Sequence, residues 1–138
     1  MATTYRVLGQ AKNTSTSSSI LAKLYHANPL ADSTEGTLAA TTVQTIISTI
    51  TVCNTSGVPQ YYDIAIYKAN STVSTPDTFT APTSDNYVVK SGFLNAYETV
   101  SLTLGITLDT HDRIGVFASG AASSQYVNFF AFGSETRG

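Results

Sequence analysis

The sequence predicts an all-β fold: an antiparallel β-sandwich of jelly-roll or immunoglobulin-like layout with about eight strands. Three observations carry that prediction. Apolar and polar residues alternate with period two along much of the chain, and no segment shows the 3.6-residue repeat of an amphipathic helix. The composition favours strands, with eight Tyr, six Phe and many Val, Ile and Thr. Clusters of Gly, Pro, Asn, Asp and Ser break the apolar runs at short intervals. At 138 residues the chain fits one domain, 1–138, able to bury its own core.

In chain order, the first strand candidates are Thr4–Gly9 and Ile20–His26, joined by the Thr/Ser tract Asn13–Ser19. Thr42–Asn54 follows, with Ile46, Ile50 and Val52 in phase and Ile47, Thr49, Thr51 and Cys53 on the half-polar opposite face. Asn54-Thr-Ser-Gly57 and Pro59 form the turn into Gln60–Tyr67, which sets Tyr62, Ile64 and Ile66 against Asp63. Lys68–Asn86 contains Pro76 and Pro82 and little periodicity, so an irregular loop is expected at about 68–86. Tyr87–Phe93 is the next candidate. Glu98–Leu108 alternates most regularly: Val100, Leu102, Leu104, Ile106 and Leu108 are expected to be buried, with Thr103 and Thr107 outside. Asp109-Thr-His-Asp112 turns into Arg113–Ala118, and the small-residue loop Gly120–Ser124 leads to Gln125–Phe132.

The last strand is apolar on both sides. Tyr126, Phe130 and Phe132 share one face, Val127, Phe129 and Ala131 the other. Such a strand is either central in a two-layer core or covered by a neighbouring subunit; the core is the preferred placement.

Charged residues make up only 12% of the chain, with a net charge of −2, against about 25% charged in an ordinary domain. Lys and Arg are scattered singly, which argues against nucleic-acid binding. No apolar run reaches the ~18 residues of a membrane span, so no membrane association is expected. The single cysteine, Cys53, allows no intramolecular disulfide, and its place in a strand suggests a buried small hydrophobe. The opening residues lack the basic-then-apolar signal pattern, so synthesis in a cytoplasm is expected.

No constellation points to catalysis. His26 and His111 are the only histidines, there is no G-x-S-x-G elbow, and His111-Asp112 reads as a turn with a locally bonded carboxylate. The acids are dispersed and no metal-ligand spacing occurs. The sequence therefore predicts a non-enzyme with no cofactor and no metal. Three sequons, at Asn13, Asn54 and Asn70, are explained by turn preference in a Thr- and Ser-rich chain.

Four stretches in order carry a resemblance: Tyr5-Arg-Val-Leu-Gly-Gln10, Ile47-Ser-Thr-Ile-Thr-Val-Cys-Asn54, Leu102-Thr-Leu-Gly-Ile-Thr-Leu108 running on to Ile114-Gly-Val-Phe-Ala-Ser119, and Phe132-Gly-Ser-Glu135. Together they resemble small structural proteins of tailed bacteriophages, including cyanophages. The resemblance covers most of the chain outside Lys68–Asn86. It implies a virion component, first a capsid decoration (cement) protein, with a tail, neck or baseplate/fibre accessory protein as the alternative. A glycan- or receptor-binding module is the reading of another class. The expected partners are the major capsid protein or other virion subunits, together with further copies of the chain. The candidate contact residues are Tyr126, Phe130 and Phe132 on the last strand and Pro76, Phe79 and Pro82 in the long loop.

Overall fold

The structure, a computed structural model, describes residues 2–13, 16–31, 37–68, 78–79 and 82–138. The strands are β1 (Ala2–Lys12), β2 (Leu21–His26), β3 (Val43–Asn54), β4 (Gln60–Tyr67), β5 (Thr78–Phe79), β6 (Tyr87–Leu94), β7 (Thr99–Leu108), β8 (Arg113–Ala118) and β9 (Val127–Arg137). All eight strands expected from alternation are present. The small-residue loop contains one 3-10 turn, Ala121–Ser123. In the long loop, β5 pairs with β2 through Leu21 and Ala22, so that segment is not wholly irregular; Pro76 lies outside the described residues.

The strands form two antiparallel sheets, ordered β1-β9-β3-β7 and β5-β2-β8-β4-β6. The chain crosses from one sheet to the other at nearly every step, staying in the second only from β4 through β5 to β6. With the two-residue β5 set aside, this is the order of a jelly roll. An immunoglobulin-like layout would instead keep consecutive hairpins within one sheet. A single core fills the space between the sheets. Leu8, Ile47, Ile50, Val52, Ile106, Leu108 and Phe129 come from one side, and Leu24, Tyr62, Ile64, Leu94, Ile114 and Val116 from the other.

A band of bulges across the first sheet corrects the expected register of β3 and, on β7, the single position Leu104. Against β9, β1 carries an extra residue at Leu8 and β3 an extra residue at Ser48. Against β3, β7 carries an extra residue in the Leu104–Gly105 step. The bulges in β1 and β3 reverse the alternation of those strands, whereas β7 keeps its even residues inward on both sides of its bulge: Val100 and Leu102 pack against the core and Ile106 and Leu108 are buried. Val43, Thr45 and Ile47 point inward before Ser48; Ile50, Val52 and Asn54 do so after it. Ile46, read as a core residue, is therefore 53% exposed while Ile47 is fully buried. On β7, Ile106 and Leu108 are buried but Leu104 lies in the bulge at 36% exposure.

Glycines permit this geometry. Gly105 has φ +60°, a left-handed conformation that disfavours a side chain. A Cβ at Gly133 would lie 1.9 Å from the Ile46 carbonyl oxygen, so only glycine lets β9 run past this point to Arg137.

Buried polar groups close the two ends. At one end, the Asn54 amide donates to the carbonyls of Val58 (2.9 Å) and Asn95 (3.0 Å). The Gln60 amide donates to the Gln125 carbonyl (2.9 Å), and its oxygen accepts from the Gly120 N–H (2.9 Å). The Asn13 amide donates to the Ala118 carbonyl at 3.0 Å. These three buried amides tie together loops that share no strand pairing, as satisfied interior amides can. Asn13 and Asn54 thus hold structural positions rather than presenting glycan acceptors.

At the other end Glu135, 3% exposed, lies 3.2 Å from Arg137 and 3.6 Å from Arg6. Its carboxylate accepts a hydrogen bond from the Tyr25 hydroxyl, which also meets the Thr45 hydroxyl at 2.7 Å. Arg137 donates onward to the carbonyls of Leu38 (2.7 Å) and Leu30 (3.3 Å). The cluster fastens the β2–β3 connection to the last strand.

Candidate functional site

An unusual surface is the outer face of the β1-β9-β3-β7 sheet. Strand pairing places its outward residues in rows. Tyr5, Ser134, Ile46 and Thr107 form one row; Val7, Phe132, Thr49 and Thr103 the next. Gln10, Phe130, Thr51 and Ser101 form the third, and Lys12, Asn128, Cys53 and Thr99 the fourth. Lys12 is the only charged side chain in these rows. Tyr5 is 82% exposed, and Val7, Ile46 and Leu104 are also exposed.

Phe130 and Phe132 stack with centroids 6.4 Å apart in the middle of this face, half-buried. The preferred core placement therefore holds for only one side of β9. Val127, Phe129 and Ala131 are fully buried, whereas Phe130 and Phe132 face out. The Lys12 ammonium lies 4.2 Å from the centre of the half-buried Tyr126 ring, a cation–π contact at the edge of the face. Cys53 shares the outer face and is half-buried, rather than lying in the core.

Of the other contact candidates, neither Phe79 nor Pro82 lies on the strands of this sheet, and Pro76 lies outside the described residues. Pro82 is half-buried beside the long loop, and Phe79 is placed only through the pairing of β5 with β2. Tyr5, Val7 and Ile46 were not singled out from the sequence. Their exposure depends on the bulges at Leu8 and Ser48, which only pairing with β9 reveals.

The outer face of the second sheet differs. Leu21, Ala65 and Tyr67 form a small buried cluster with Tyr87 and Phe117 against it. Burial, then the neighbouring Tyr87, pushes the Tyr67 hydroxyl up to about 12, against the opposing effect of Arg113. Asp63, 3% exposed, accepts from the Lys90 ammonium at 3.1 Å and the Ser91 N–H at 2.8 Å. The hydrogen bond that Lys90 donates to Asp63 holds its ammonium above its ordinary value.

His26 and His111 meet where β2 ends, with ring centroids 6.2 Å apart. Among the described residues, neither ring nitrogen of the buried His26 has a hydrogen-bond partner. Burial, reinforced by the charges of Arg113, His111 and Lys23, pushes His26 down to about 4. His111 has φ +72° in the β7–β8 turn, where the Asp112 carboxylate accepts the Asp109 N–H at 2.9 Å. Among the described residues, no serine hydroxyl meets either His26 nitrogen or His111 Nδ1.

A cleft of about 530 Å³ opens beside this turn, lined in part by Gln44, Lys68, Thr107, Asp109, Ser134 and Thr136. Hydroxyls, one amide, one ammonium and carboxylate oxygens give it hydrogen-bonding capacity without an aromatic platform. Among the described residues, no group of three or more His, Cys, Asp or Glu side chains is placed to hold a metal ion. Comparison with protein-family models, curated proteins and solved structures gives no match.

Proposed function

We propose that this chain is a non-enzymatic structural subunit of a tailed-phage virion, a capsid decoration protein that stabilises the head through many protein–protein contacts. The observation that carries the reading is the outer face of the β1-β9-β3-β7 sheet, aromatic at its centre, with Lys12 the only charge in its four rows and Lys68, Asp109 and Asp112 in the cleft at one end. Monomeric soluble domains ordinarily cover outer faces with mixed charge, and contiguous exposed apolar surface marks interaction sites. The resemblance to small phage structural proteins supplies the setting. Jelly rolls recur in viral capsid domains and also in lectins, so the fold supports this reading by analogy alone. A subunit binding the assembled shell better than its free components stabilises the shell by mass action, and symmetry multiplies each weak contact.

Quantitative mass spectrometry of purified particles tests the proposal. Copies in the proportion of the major capsid protein support a head lattice, and particles lacking the chain should lose DNA at lower temperature. A copy number in proportion to tail proteins would move the chain to a tail, neck or baseplate role. Absence from particles would end the virion reading. The polar cleft beside the β7–β8 turn favours one second reading, a glycan-binding module. Binding of a defined saccharide on an array, abolished by Gln44→Ala with folding retained, would replace the structural role.

A further inference from the structure

We infer that the outer face of the β1-β9-β3-β7 sheet docks on the same face of a second copy, across a two-fold axis perpendicular to the strands. The inference rests on the assembly reading above and names the partner of that face.

Size comes first. Four strands spaced about 4.8 Å and ten residues long at about 3.3 Å per residue give a face of roughly 19 by 33 Å. That is roughly 600 Å² in projection, and more once side-chain relief is counted. A stable interface takes about 800 Å² per partner. The face thus approaches the size a dimer takes, the remainder coming from side-chain relief and the flanking loops.

Charge and order then select the occupant. With no charge at its centre, the face can meet itself without like-charge repulsion. An axis between the Phe130 and Phe132 rows exchanges those rows, laying the Phe130–Phe132 stack against its symmetry mate. It also exchanges the outer rows. Lys12, the only charge of the four rows, then comes to the end of the partner face occupied by Tyr5, the most exposed aromatic of the surface, where Asp109 and Asp112 line the adjoining cleft. The same operation brings Cys53 of one copy over Ile46 of the other. Aligned packing of two twisted sheets accommodates such a contact.

The axis makes a specific cross-linking prediction. Ile46 and Cys53 lie seven residues apart on β3, so Cys53 and its symmetry mate are separated by roughly 23 Å. The wild-type chain should therefore not form a disulfide within the dimer. Ile46→Cys should do so with the partner's native thiol when copper–phenanthroline accepts the two electrons and the two thiol protons are released. Ile46→Cys combined with Cys53→Ser should not.

Sedimentation equilibrium of the full chain, with circular dichroism to verify folding, completes the test. The wild type should be a dimer, and Val7→Lys and Ile46→Lys should each weaken it at least tenfold while remaining folded. A wild type that stays monomeric at several hundred micromolar overturns the inference, as does a dimer indifferent to both lysines. A dimer that forms but yields no Ile46→Cys cross-link overturns the two-fold arrangement. Particle binding separates this inference from the reading it rests on. A monomer whose attachment to virions is lost with Ile46→Lys refutes the second copy and keeps the assembly role. A cross-linkable dimer that never accompanies particles keeps the second copy and removes the virion role.

Discussion

Two adjacent isoleucines should respond in opposite ways to the same substitution. Ile47 is fully buried between the sheets, and Ile46, one residue earlier, is 53% exposed on the outer face. Ile47→Ala removes three buried carbon atoms and leaves a cavity that the surrounding Ile, Leu and Phe side chains can only partly close. Transfer and cavity contributions together should cost about 3 kcal/mol. For Ile46→Ala the surface returned to water is at most about half a side chain and no cavity forms, so the cost should stay below about 1 kcal/mol. For a domain of this size, about 3 kcal/mol lowers the melting temperature by about 10 °C. Urea unfolding at a concentration too low for self-association gives both values, and unchanged m-values would confirm a common unfolded state. If instead Ile46→Ala carried the large cost and Ile47→Ala the small one, β3 would alternate without interruption from Ile46 to Val52 and the Ser48 bulge would be refuted.

The same bulge band predicts that Leu104→Asp is mild, below about 1 kcal/mol, whereas Ile106→Asp costs several, because only the latter buries an unpaired carboxylate; urea midpoints of the two variants decide this. Gly133→Ala should destabilise by about 3 kcal/mol or more, since the new Cβ meets the Ile46 carbonyl oxygen at 1.9 Å; a melting temperature within about 2 °C of wild type would contradict that close approach. Glu135→Ala removes the buried carboxylate that Arg6, Arg137 and the Tyr25 hydroxyl share, leaving two guanidiniums without their counter-charge, and should cost about 3 kcal/mol, with the β2–β3 connection the first segment to lose amide protection in hydrogen exchange. His26 should make the fold acid-sensitive. Its folded value is pushed from 6.5 to about 4, so between these values the unfolded chain binds the extra proton. The stability from its neutral form is present above pH 6.5 and lost as pH falls towards 4, by about 2–3 kcal/mol in all. Urea midpoints at pH 7, 5 and 4 should show this loss in the wild type, and His26→Gln should flatten it over that window.

The strands were legible because each is a local pattern. Alternation in Gln60–Tyr67 and Arg113–Ala118 depends only on residues two apart, and turns such as Asp109–Asp112 announce themselves by type. The end of β9 was not legible: Gly133 reads as a break until the carbonyl of Ile46 is seen to need its space. The cleft was invisible for a similar reason, since Gln44, Lys68, Asp109 and Ser134 are neighbours only through the topology.

By itself, then, the sequence determined an all-β chain of eight principal strands, poor in charge and apolar on both sides of its last strand. Periodicity and composition suffice for that, because a half-buried strand must separate its side chains locally. Only the tertiary structure decided the jelly-roll order, the closure of both ends by buried amides and by Glu135, and the direction in which Ile46, Ile47 and Leu104 point. Those outcomes rest on pairing between residues far apart in the chain. One extra residue against a distant partner turns every side chain beyond it to the other face, and nothing within the strand records that it has happened.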